Sequence, residues 1–102
     1  MEKDMTDYMP DMVRDNPDER RFEIPLDDDA VAGAYYRRDD NGHIVLTHTE
    51  VPSEYGGRGI GSALARGVFD MARSRGDRLV LKCPFMSAWF TRHTDYADVV
   101  AG

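Results

Sequence analysis

Apolar and polar residues change rhythm several times along this chain, and each change predicts an element. Phe22, Ile24 and Leu26 alternate with polar residues at the period of a half-buried strand, and Asp27-Asp28-Asp29 closes that strand with a turn. Val31 to Arg38 reads as a second strand with Tyr35 and Tyr36 as its bulky faces. Asp39-Asp40-Asn41-Gly42 is a hairpin signal, and His43 to Val51 is the third strand of an antiparallel meander. The spacing then shifts to threes and fours. Ile60, Ala63, Leu64, Gly67, Val68, Met71 and Ala72 make one apolar stripe on a helix that starts near Gly57 or Gly59 and ends at Arg75, with Gly76 as its C-cap. Leu79, Val80 and Leu81 form a short apolar run expected to be a strand buried on both faces, parallel to the third across a β-α-β crossover. Pro84 opens a second helix where its missing N–H costs nothing, and Phe85, Met86, Trp89 and Phe90 supply the apolar face. Residues beyond His93 read as a loose turn. The expected fold class is α+β: a meander, a crossover and a final short helix.

Residues 1–19 stand apart from this order. Met5, Tyr8, Met9, Met12 and Val13 fall at helical spacing, but Pro10 interrupts them, so the segment is expected to be a disordered or loosely docked acidic extension of a compact domain over residues 20–102. Composition sharpens the contrast. The extension holds seven acids and two bases, whereas the remaining residues hold 12 acids and 11 bases, within a net charge of −6. A nearly neutral domain lacks the basic surface that nucleic-acid binding requires. At 102 residues the chain makes one domain. No apolar run approaches the roughly 20 residues of a membrane span, and the acidic N-terminus does not resemble a signal peptide. The single cysteine, Cys83, excludes an internal disulfide and suits a reducing compartment, so cytoplasm is the expected location. No metal is expected.

The candidate chemistry begins at the glycines of Tyr55-Gly56-Gly57-Arg58-Gly59-Ile60-Gly61-Ser62, which lead from a strand into the long helix. The first N–H groups of a helix lack intrahelical partners and carry partial positive charge, and glycine lets backbone approach a ligand closely, so this turn is a candidate phosphate cradle. A nucleotide P-loop would need a Lys-Ser or Lys-Thr pair, which is missing. The dinucleotide pattern G-x-G-x-x-G fails from either starting glycine, with Ser62 or Leu64 at the third position.

The stretch from Tyr55 to Leu64 resembles the coenzyme A pyrophosphate loop of the GNAT superfamily of N-acetyltransferases, [QR]-x-x-G-x-[GA], with Gly59 and Gly61 at the two small positions. Gly56 stands where that pattern has Gln or Arg, which removes one side-chain contact and keeps the backbone amides. The element order agrees. Leu46-Thr-His48-Thr-Glu50-Val51-Pro before the loop and Cys83-Pro-Phe85 with Arg92-His93 after it are similar to a small subfamily of compact single-domain members, over roughly Arg21 to Val100. The resemblance implies acetyl-CoA as the acyl donor, held by the loop amides with help from Arg58 and Ser62. It implies a base on the strand before the loop, where Glu50 is the first candidate and His48 the second; two residues apart, they share a face. It also implies an oxyanion donor near Val51. Cys83 precedes a helix start, where the dipole favours thiolate. In the similar subfamily this cysteine lies near the acetyl group, as a carrier or as an acid for the departing coenzyme A, while a buried structural role is the competing reading. Trp89, Phe90, Arg92 and His93 are candidates to line the pantetheine or adenine end of the cofactor, against a core role for Trp89 and Phe90 and a charge at the helix C-terminus for His93. The superfamily's tyrosine acid has no counterpart on the final helix. The implied function is N-acetyl transfer to a primary amine, on a small molecule or a protein lysine, with a partner protein or self-association completing an open acceptor site. The alternative is a coenzyme A-binding interaction module with little catalysis.

Overall fold

A computed structural model describes residues 8–101. Its centre is a five-stranded sheet in sequential order: β1 (Arg14–Asn16), β2 (Arg21–Pro25), β3 (Val31–Arg38), β4 (Ile44–Glu50) and β5 (Leu79–Leu81). The first four strands are antiparallel, and β5 joins β4 in parallel. Helix α1 (Ile60–Arg75) makes the crossover between β4 and β5, and α2 (Pro84–Thr91) follows. The expected α+β architecture is therefore the observed one.

Both helices share one core with one side of the sheet. Phe22 and Ile24 of β2, Ala32 and Ala34 of β3, and Ile44 and Leu46 of β4 pack with Ile60, Leu64, Val68, Met86 and Trp89. The small Ala32 and Ala34 let α1 come close to the strands. The buried surface of α1 is wider than the predicted stripe, because Phe69 is also fully buried against Trp89, Phe90 and Tyr96. At its end the Asp77 N–H donates to the Ala72 carbonyl (2.9 Å) around Gly76, the long bond of a Schellman cap.

Three expectations need correction. Within the segment set apart as an extension, Met5 lies outside the described residues, but Pro10–Met12 forms a 3-10 turn, Val13 is buried and β1 pairs with β2. Gly67 makes this docking possible: a Cβ there would sit 2.3 Å from Val13 Cγ2 and 2.5 Å from the Pro10 carbonyl oxygen. Strand β5 is buried at Leu79 but only half-buried at Val80 and Leu81, because it is the last strand of the sheet. The residues after His93 are not loose. Thr94–Val99 forms a 3-10 turn with Tyr96 and Val99 buried. The Tyr96 hydroxyl donates to Asp70 and accepts from Arg66 (3.1 Å), and Arg73 pairs with Asp98 (2.6 Å), so the turn is strapped to one face of α1, the i, i+4, i+7 row of Arg66, Asp70 and Arg73.

Candidate active site

Strand β4 carries the first part of the site, and a bulge decides which way its side chains point. Tyr36 pairs with Leu46 and Tyr35 with His48, so Thr47 is an extra residue. One extra residue reverses the alternation of everything after it. Ile44 and Leu46 face the helices before the bulge. After it Thr49 takes that side, and His48 and Glu50 turn to the opposite face. There they contact each other, with His48 Nε2 3.0 Å from Glu50 Oε2 and side chains 58% and 63% exposed. Among the described residues, no helix covers that face.

The β4–β5 ladder is short. It runs from Ile44–Leu79 to Leu46–Leu81, and its last bond is the Lys82 N–H to the Leu46 carbonyl at 3.0 Å. Beyond that point side chains replace main chain: Thr49 Oγ1 lies 3.0 Å from Cys83 Sγ. Cys83 is buried at 2% exposure, immediately before α2. The three candidate catalytic side chains are thus divided. His48 and Glu50 meet on the open face, whereas Cys83 stands on the helix side of the same strand end. Among the described residues, the Val51 N–H beside them has no hydrogen-bond partner.

The glycine turn supplies the second part. Gly57 and Gly59 have φ of 79° and 76°, left-handed values that side chains with a Cβ resist. The first α1 bond is the Ala63 N–H to the Gly59 carbonyl (3.0 Å), and no side chain caps the helix. Among the described residues, the backbone N–H groups of Gly57, Arg58, Gly59, Ile60, Gly61 and Ser62 have no hydrogen-bond partner. Tyr55 anchors this turn. It is buried, its hydroxyl accepts from the Asp27 N–H (3.2 Å), and Arg58 lies over its ring at 5.3 Å.

From the start of α1 a cleft of about 290 Å³ runs along α2, lined by Gly61, Ser62, Phe85, Trp89, Arg92 and His93 among others. Trp89 is both core and lining. Its indole N–H donates to Ser62 Oγ (3.1 Å) and its ring stacks on His93 at 3.8 Å. Phe85 is 42% exposed at the cleft, unlike the rest of its helix's apolar face. Phe90 is half-buried against Phe69, away from the lining. Six free amides, left-handed glycines and an adjoining half-aromatic cleft suit a diphosphate with an extended tail. Tyr96, the tyrosine nearest in sequence to α2, is buried in its bonds to Asp70 and Arg66; burial and then the Asp70 hydrogen bond raise its pKa. Its hydroxyl is engaged in the strap on α1.

Thr49, Tyr35 and Tyr55 are neighbours of the site that the sequence reading did not assign to it. Only Tyr55 carried a signal, as the residue that opens the glycine run.

Comparison with known proteins bears on the family and the fold. Residues 21–99 match the family described as GCN5-related N-acetyl-transferase. The fold is similar to the NMR solution structure of a GCN5-like candidate N-acetyltransferase from Staphylococcus aureus, at 32% identity and a TM-score of 0.67, over 88% of this chain and 87% of that one. No curated protein matches the chain significantly. Among the described residues no helix is long and apolar enough to cross a membrane.

Proposed function

The chain belongs to the GCN5-related N-acetyltransferase family, and on that premise we propose that it acetylates a primary amine, on a small molecule or a lysine side chain, with acetyl-CoA as donor. The observation that carries this reading is the run of unpartnered amides from Gly57 to Ser62, beside the point where β4 and β5 stop pairing. When bound, acetyl-CoA supplies an acetyl group activated as a thioester. Its diphosphate is assigned to those amides, with Arg58 adding charge at the rim, and its tail to the cleft along α2. The Val51 N–H is the candidate donor to the acyl oxygen.

An alkylamine has a pKa near 10.4, so at neutral pH it must lose a proton before it attacks. Glu50 is the assigned acceptor of that proton, from the open face, with His48 in contact to share it. Cys83 faces the same strand end from the helix side and is the candidate proton donor to the departing thiolate. A reducing cytoplasm fits the free thiol.

Two measurements test the assignment. Acetyl-CoA at about one hundred times its Kd should stabilise the fold by about 2.7 kcal/mol, read as a rise in Tm. With an amine present, Glu50→Gln should lower kcat by about a hundredfold or more while leaving that rise intact. A protein that binds acetyl-CoA but transfers it to no amine is an interaction module, and one whose Tm ignores acetyl-CoA is neither.

A further inference from the structure

The open face of the sheet holds an ordered row of side chains that packing alone does not require. Glu23 lies on that face, yet its side chain is only 1% exposed. Its cover consists of other side chains: Arg14 reaches one carboxylate oxygen at 2.7 Å, while Arg21 (2.6 Å) and Asn16 (3.3 Å) reach the other. Arg21 extends the row across β3. Its guanidinium donates to the Tyr35 hydroxyl (3.2 Å) and lies over the Tyr35 ring at 5.7 Å. Tyr35 in turn leans on His48, with ring centroids 5.8 Å apart and planes 33° apart, and His48 contacts Glu50. Gly33 leaves the space for this. It pairs with Glu23 on one side and Glu50 on the other, and a Cβ there would press within 3.3 Å of both Arg21 Cδ and Tyr35 Cε1.

Such a row costs side-chain entropy, and its exposed end, the His48–Glu50 pair, returns little stability. It ends on the two residues assigned to proton transfer, which are the more exposed and would otherwise rotate freely. We propose that Tyr35 is a positioning residue: it holds the His48 ring, and through it the Glu50 carboxylate, at the end of β4, with Arg21 and the buried Glu23 as its buttress. The positioning role rests on the transferase reading above, but the contact itself does not.

The experiment has two arms. In the first, kcat and KM are measured with acetyl-CoA and Nα-acetyl-lysine amide for wild type, Tyr35→Phe and Tyr35→Leu. Tyr35→Leu should lower kcat about tenfold or more with KM for acetyl-CoA unchanged. Tyr35→Phe, which keeps the ring, should recover most of the loss. In the second arm, ring signals of the three histidines are followed by proton–carbon correlation NMR. The His48 signals should move toward free-histidine positions in Tyr35→Leu, while those of His43 and His93 stay. Unmoved His48 signals overturn the contact, whatever the activity. Moved signals with an unchanged kcat overturn the positioning role. A wild type inert toward this amine and toward a panel of small-molecule primary amines removes the transferase reading, and with it the role, and leaves the second arm to judge the buttress alone.

Discussion

Glu23 owes its burial to arginines laid across it, and this makes the cluster sensitive to acid. Burial pushes its pKa up, but the hydrogen bonds from Arg21, Arg14 and Asn16 outweigh that and hold it below the ordinary 4.5. The folded state therefore binds this proton less readily than the unfolded state does. The contribution of the cluster is complete above the unfolded value of 4.5 and is lost as pH falls through the lower folded value. Glu23→Gln should lower stability by about 1–3 kcal/mol at pH 7. In thermal melts the gap between variant and wild type should close as the pH drops below 4.5. A constant gap across that range would mean that the carboxylate charge contributes nothing. Spacing alone puts His48 and Glu50 on one face, and their contact is what a two-residue interval in a strand allows. Which face they take was not legible, because it depends on the extra residue at Thr47. Without the bulge, both would point with Leu46 into the core. Nothing in a run of alternating Thr, His, Thr and Glu marks that slip, nor does it mark Thr49 as the neighbour of Cys83.

At the scale of elements, α1 was the most legible, since a stripe at threes and fours, a glycine start and a glycine stop all agree. Two of its residues carry information that periodicity lacks. Phe69 falls outside the stripe and is buried because α2 and the 3-10 turn cover a second side. Gly67 falls inside the stripe, where its role looks like that of a small core residue. Helix propensity alone would favour Gly67→Ala by about 1 kcal/mol. The added methyl, however, meets the Pro10 carbonyl oxygen at 2.5 Å, and a backbone atom cannot step aside as a flexible side chain can. The clash wins. Gly67→Ala should destabilise by about 1–3 kcal/mol, and hydrogen exchange at β1 amides should quicken more than at β3. Equal protection in both strands would show that the segment docks without the gap.

Across the whole molecule, the ends of the chain were the least legible. Pro10 and dense acid argue against order near the N-terminus despite the helical spacing of its apolar residues, and the ordering of Val13 and β1 comes from tertiary contacts that no local pattern announces. The same holds after His93, where Tyr96 and Val99 are too few to show a period. The middle of the chain was readable because strand, turn and helix signals there reinforce one another. The result is a sheet with both helices on one side and a polar ladder on the other.

The last described residues bear on how the protein behaves in company. Val100 bridges to Leu79, and the Ala101 N–H donates to the Leu79 carbonyl at 2.8 Å, so the outer rim of β5 already has a guest. An unguarded strand of Leu-Val-Leu would recruit backbone from a neighbouring copy, the route by which soluble sheets polymerise. A chain cut after Val99 should scatter light increasingly with concentration and time, while the intact chain stays clear. These few residues keep the molecule from becoming a template for its own kind.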